Sequence, residues 1–346
     1  RQFINMKKFA LYTMALAMAV AGTSCSNDEE PAGVPQGDQL NVSRVGLASI
    51  AKSGITATSF TNGETLGLFI YRGTGIEDGS KDYNSSTSTI PTVNVPYKQG
   101  AGGWTATQPI FLSNVKGRVY SYYPYNASNN TNDGKTIPVT VNASQGTGQS
   151  DGTKDTAEQT DYMYSDVVSD ISNANPSTAL TMNHALAMVS FKFKQTDDAT
   201  QKYPGEGKVS EIVLKNKDTK QNFKTGAGTM HIGTGAINTA TASAGSITLA
   251  PDASETLMDV TDADKLPRML VYPMAVAEGD LQITVTVDGN SYTLDVNAIA
   301  DGYKAGNNYE YTFTLKGTKL EITNVSIKEW ITQEQTGGDI QTPDRP

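Results

Sequence analysis

Apolar residues recur at every second position over long stretches of this 346-residue chain. That period suits a strand with one buried face and does not suit a helix. Leu281, Ile283, Val285 and Val287 alternate with Gln282, Thr284 and Thr286. Asp288-Gly289 follows, a pair that accepts the positive φ values of a two-residue hairpin turn, and Tyr292, Leu294 and Val296 carry the return strand. Tyr309, Tyr311, Phe313 and Leu315 alternate again, as do Val189, Phe191 and Phe193. Leu66 to Tyr71 (LGLFIY) is a nearly continuous apolar run, suited to a buried strand, and Arg118 to Tyr123 (RVYSYY) reads as another. Near the end, Leu320 and Ile322 keep one phase while Val325 and Ile327 take the other, so a bulge near Thr323-Asn324 is expected to restore the register. Charged residues make up 18%, below the roughly 25% of ordinary soluble domains. Gly, Ser, Thr and Asn are plentiful, as many turns require. The expected fold class is all-β.

The only cysteine, Cys25, bears on where such a fold must survive. It closes a segment with a basic start (Met6-Lys7-Lys8), an apolar core (Phe9 to Ala21) and a small-residue end (Gly22-Thr23-Ser24). These are the parts of a secretory signal. As a helix the core spans about 20 Å, too short for a bilayer of about 30 Å. A lone Cys in this place looks like a lipobox, with Gly22 standing where Leu is usual, and marks Cys25 for lipidation. Multiple acyl chains anchor a protein stably. One Cys cannot form an internal disulfide, so the exported fold must hold by its core alone. Arg1 to Asn5, ahead of Met6, read as upstream translation.

About 320 residues follow the signal, more than one core usually serves, so two domains are expected. Residues 1–25 are the signal and 26–38 a Pro/Gly linker (Pro31, Gly33, Pro35, Gly37). Residues 39–179 form the first domain and 180–346 the second, with the break near Asn175-Pro176. Asn126 to Thr160 reads as loop, with a short strand at Ile137 to Val141. Gly226-Ala227-Gly228 and Gly233-Thr234-Gly235 read as turn or loop glycines.

The formal charge of −9 argues against a nucleic-acid partner, which wants a basic face. Of the two histidines, His184 sits among apolar residues and reads as a satisfied core side chain. No paired His or Cys at metal spacing, no nucleophile elbow and no phosphate-binding glycine loop occurs. Carboxylates are many, but nothing singles out two of them. The expectation is no enzyme, no metal and no cofactor.

Five pieces of sequence, in order, resemble the fimbrillin family, the subunits of type V pili. They are the signal with Cys25 and the acidic Ser26 to Glu30; Phe60-Thr61-Asn62-Gly63-Glu64-Thr65-Leu66-Gly67-Leu68-Phe69; Trp104, Pro109-Ile110-Phe111-Leu112 and Tyr120 to Tyr125; Asp161-Tyr162-Met163-Tyr164-Ser165 with Asn183-His184-Ala185-Leu186; and Ile327-Lys328-Glu329-Trp330. Each also has a plain packing role: Trp104 and the tyrosines as core and edge aromatics, Trp330 as an anchor.

The resemblance implies two tandem transthyretin-like, Greek-key β-sandwich domains. It implies export as a lipoprotein to the cell outer membrane and assembly into an extracellular fimbrium that serves adhesion. A trypsin-like protease would remove the lipidated first strand, and a strand of the next subunit would fill the groove by β-augmentation. Such a head-to-tail contact does not close, and a fibre results. Leu40, Val42, Val45 and Leu47 are the candidates for the strand to be removed. Lys52 best fits the cleavage position, with Arg44 second. Leu320, Ile322, Val325, Ile327 and Trp330 are candidates for the donor strand, with a tail from Ile331 to Pro346. The partners would be other copies or related subunits, the maturation protease and, before processing, the membrane. Asp155-Thr156-Ala157 resembles an O-glycosylation acceptor of Bacteroides-type bacteria, at Thr156. The alternative is a surface-anchored glycan-binding lipoprotein, with Tyr97 or Trp104 as sugar platforms.

Overall fold

The computed structural model describes residues 39–47, 60, 62–73, 75–76, 83, 92–129, 135–146, 159–251 and 256–330. Among these the chain is all-β, with 3₁₀ turns at Ala199–Gln201 and Ala263–Lys265 and no α-helix.

An eight-stranded sheet is built from β1 (Asn41–Leu47), β2 (Thr65–Arg72), β3 (Val95–Gly100), β4 (Gly103–Ala106) and β5 (Gly117–Tyr123). The chain then leaves it for β6 (Thr136–Val141) and β7 (Ser144–Gln145) and returns with β8 (Met163–Ser165), β9 (Val168–Ile171) and β10 (Ser177–His184). The spatial order is β1-β10-β8-β5-β2-β3-β4, with β9 paired to β5. The segment beginning at Leu180 was expected to open a second domain. It is instead the middle of β10, paired to β1 and β8, and the chain passes to other sheets only beyond His184.

The remaining strands are β11 (Ala187–Gln195), β12 (Val209–Asn216), β13 (Lys224–His231), β14 (Ile237–Asn238), β15 (Ser243–Ala244), β16 (Ser246–Leu249), β17 (Arg268–Val271), β18 (Met274–Val276), β19 (Leu281–Val287), β20 (Asn290–Asp295), β21 (Ile299–Tyr303), β22 (Asn307–Lys316) and β23 (Lys319–Glu329). Two sheets dominate, ordered β17-β11-β22-β23 and β20-β19-β12-β16-β7. Smaller ones join β6, β14 and β15 to β13, and β18 to β21. The excursion β6–β7 therefore pairs with later strands, and residues 136–145 belong structurally with the second half of the chain. Gln145 secures that return: its amide donates to the Leu270 carbonyl (2.8 Å) and accepts from the Leu270 N–H (2.9 Å), as a strand partner would.

The apolar run in β2 is explained by burial on both faces. Leu66, Leu68 and Ile70 point into a core cluster shared with Val95, Tyr97, Val119, Leu180 and Met182. Phe69 and Tyr71 point the other way, into the larger core formed with β6 and the later strands. Gly67 faces this second side because the Tyr122 ring lies across it: a Cβ there would sit 2.0 Å from a ring carbon. The Tyr122 hydroxyl then donates to Asn94 Oδ1 (2.7 Å).

The expected hairpin is present, with Asp288 and Gly289 both at positive φ and Val287 opposite Asn290. The expected bulge in the last strand is present too. Ile322 opposes Phe313 and Asn324 opposes Thr312, leaving Thr323 unmatched and its hydroxyl paired with that of Thr314 (2.9 Å). Gly226 and Gly228 correct the sequence reading: they lie in β13, not in a loop. A Cβ at Gly228 would meet the Tyr272 hydroxyl at 3.0 Å, and that hydroxyl donates to the Gly226 carbonyl (2.7 Å). Small residues here let a tyrosine cross the strand.

Two measurements check this packing. Gly67→Ala is expected to destabilise the protein by about 1–3 kcal/mol in denaturant unfolding, because the Tyr122 ring must move. Burial pushes the hydroxyl of Tyr272 up from its ordinary 10.0 to about 12 and pushes Tyr303 up as well. Between about pH 10 and 12 the unfolded chain therefore releases protons that the folded chain keeps, and stability falls as pH rises. Unfolding midpoints should begin to drop near pH 10, and this tyrosine contribution is absent if they stay level to pH 12.

Candidate assembly site

β1 is the edge strand of the first sheet and runs parallel to β10. Leu40, just ahead of it, and its own Val42, Val45 and Leu47 are spaced two, three and two apart, which a plain strand cannot place on one face. A bulge solves this. The register shifts between Val42 and Arg44, so Ser43 is the extra residue, and its hydroxyl donates to the Thr178 carbonyl (2.9 Å). Val42 then lies beside Thr178, Val45 beside Leu180 and Leu47 beside Met182. Leu40 and Val42 are buried, and Val45 and Leu47 pack partly against the same cluster. The Leu40 N–H adds a bond to the Ile110 carbonyl (2.8 Å). Burying a Leu or Val side chain stabilises by roughly 1.5–3 kcal/mol, so β1 is held mainly by these side chains.

Arg44 is exposed and sits within the paired part of β1, opposite Ala179. Cleavage there would require the strand to open. Lys52, Cys25 and Thr156 lie outside the described residues. So do the signal, the linker and the tail from Ile331 to Pro346.

Of the donor-strand candidates, Leu320, Ile322, Val325 and Ile327 occupy β23, the edge strand of its own sheet, antiparallel to β22 along its length, and Trp330 follows it. Leu320 is buried, Ile322 and Val325 are partly packed, and Ile327 is 55% exposed. These residues already fill a place in their own chain.

The structure brings together three residues that the sequence offered in separate motifs. His184, the last residue of β10, has Nδ1 2.8 Å from Asp161 Oδ2. The Trp330 ring stacks on the His184 ring, with centroids 3.9 Å apart and planes 9° apart. All three side chains are buried. Trp330 follows β23 directly, so the stack ties the end of the last strand to the rim of the first sheet. Nothing in the separate motifs announced this meeting, because the pairing spans more than a hundred residues. His184 is thus a packed and partnered histidine. The proposed sugar platforms are not presented as such. Tyr97 is 1% exposed, and Trp104 is half-buried against Phe60, their centroids 5.3 Å apart.

Among the described residues no group of three or more His, Cys, Asp or Glu could hold a metal ion. No helix there is long and apolar enough to cross a membrane.

Comparison with known families matches residues 54–330 to a model described as fimbrillin-like. A comparison with curated proteins finds no match. Among solved structures, a candidate cell adhesion protein from Bacteroides uniformis is 19% identical, with 84% of this chain and 98% of that chain covered and a TM-score of 0.57. One from Bacteroides ovatus is 16% identical, covering 87% and 100%, with a TM-score of 0.58. A fimbrial protein from Bacteroides vulgatus is 13% identical, covering 85% and 100%, with a TM-score of 0.52. At these identities the likeness is one of fold.

The stack is open to direct measurement. Trp330→Ala is expected to cost about 3–5 kcal/mol in denaturant unfolding. Its double-mutant cycle with His184→Ala should show coupling of about 0.5–3 kcal/mol. Additive losses would mean that the two rings act independently.

Proposed function

The chain belongs to the fimbrillin-like family, and from that premise we propose that it is a subunit of a cell-surface fimbria, assembled by exchange of its first strand. Its role is structural, not enzymatic. The subunit reaches the outer membrane as a lipoprotein through Cys25. A trypsin-like protease cuts after Lys52, and a strand from the next subunit takes the vacated place. Each of the two halves serves as a transthyretin-like sandwich in the resulting head-to-tail fibre.

The observation that carries this reading is the position of β1. It is an edge strand whose inward residues, Leu40, Val42, Val45 and Leu47, complete the first core cluster. A cut after Lys52 would leave it held without any covalent link to the rest of the fold. Its departure would uncover the β10 edge and the apolar side chains of Leu180 and Met182, which are now 1% and 0% exposed. An open edge above exposed apolar residues is a template for another strand. Arg44, exposed but within the paired strand, is the second cleavage choice.

Limited trypsin treatment of the purified, lipid-free full chain tests the proposal. The expected outcome is loss of the segment ending at Lys52 or Arg44, followed by a ladder of polymers on a sizing column. Lys52→Ala together with Arg44→Ala should abolish both. Cleavage that leaves only monomers would rule out a fibre-forming subunit.

A further inference from the structure

A groove lies far along the chain from β1, between two edge strands. β20 ends one sheet and β23 ends another. One part of the groove, about 570 Å³, is lined by Tyr203, Pro204, Asn290, Ser291, Tyr292 and Thr318. The second part, about 500 Å³, shares Tyr292 and Thr318 and continues past Leu294, Asn297, Leu320 and Ile322. Together they follow β20, whose six residues span about 20 Å.

We propose that this groove binds a neutral oligosaccharide. Three features carry the assignment. The first is the lining at the Tyr203 end: two half-buried tyrosine rings beside an asparagine amide and the exposed Thr318 hydroxyl. Aromatic rings offer an apolar face to the C–H face of a sugar ring, and amides and hydroxyls both donate and accept hydrogen bonds toward its hydroxyls.

The second feature is charge. Asp295 is taken up by Lys217 Nζ (2.5 Å) and by Gln282 Nε2 (3.0 Å). Lys319 and Glu321 sit near each other on the rim with opposite signs. With Lys217, which lies outside the lining, counted against Asp295, the charged groups along the groove balance, which favours a neutral ligand over an acidic or basic one.

The third feature is that the site is built in advance. Asp288, in the hairpin turn, accepts from the N–H groups of Gly207 and Lys208 (2.9 Å each). It also accepts from the Tyr203 hydroxyl, and burial followed by this bond pushes that hydroxyl up to about 12. One carboxylate therefore fixes the Tyr203 loop against the strand that carries Tyr292. A site held in place before binding loses less on ordering. Pro204 and Gly205 line this end of the groove.

The test uses the full chain and a panel of neutral glucan, mannan, xylan and N-acetylglucosamine oligosaccharides in calorimetric titration. At least one should bind with Kd of about 1 mM or tighter. Tyr292→Ala should weaken that binding roughly tenfold or more. Because that variant removes some core contact, Thr318→Arg is the second probe: it alters an exposed turn and fills the groove. It should abolish sugar binding while trypsin-triggered assembly proceeds as in the parent chain, so this inference and the assembly reading fail separately. Three results would overturn it: no binding by any member of the panel, binding indifferent to both substitutions, or preference of the groove for sulfated sugars or a peptide of residues 331–346.

Discussion

Burial of the first sheet on both faces is the constraint on which the rest depends. β2 sends Leu66, Leu68 and Ile70 one way and Phe69 and Tyr71 the other. A sheet of that kind needs cover on each side. The later strands and β6 supply one cover, and β1 with the Ile110–Leu112 segment helps supply the other. The two covers differ in kind. The first is continuous with a large core and cannot be withdrawn without unfolding it. The second includes a single edge strand, joined to the sheet by one row of hydrogen bonds and a few side chains. The two sides are therefore unequally held, and the assembly proposal rests on that asymmetry.

Absence of disulfides shapes the polar interior. Where strands lack a neighbour, side-chain amides complete the ladder. Gln145 pairs with both backbone groups of Leu270, and Asn216 does the same for Phe223, donating to its carbonyl and accepting from its N–H at 2.8 Å each. Each such amide satisfies two buried backbone groups that would otherwise cost about 1–3 kcal/mol apiece. With a single cysteine, the chain is held by many such small closures.

What could be read from the sequence was local. The β2 run, the Asp288-Gly289 hairpin and the Thr323 bulge each leave a mark within about ten residues, in periodicity or in turn chemistry. The Ser43 bulge left the same kind of mark, a spacing of two, three and two, whose meaning emerges once β10 is beside it. Other features have no local signature. β6 reads as a short strand, but nothing in Thr136–Val141 says that its partner is β13. Gly226 and Gly228 look like loop residues until Tyr272 is seen crossing them. Asp161 and His184 stand in one piece of the sequence pattern and Trp330 in another, and only the folded chain shows that the two pieces are one contact. In the proposed groove, Tyr203 and Tyr292 are each unremarkable in the sequence, and the folded chain, with Asp288 holding the Tyr203 loop, lines one groove with both.

The stack of Trp330 on His184 has a mechanical side. Trp330 is where the last strand stops and the tail begins. Tension on that tail reaches the indole ring before it reaches any hydrogen bond of β23. Without the ring, a pull from that end would open the β22–β23 hairpin one bond at a time. With it, the load passes first to a buried aromatic pair and, through His184, to the broad first sheet. The ring acts as a stopper at the end of a zip.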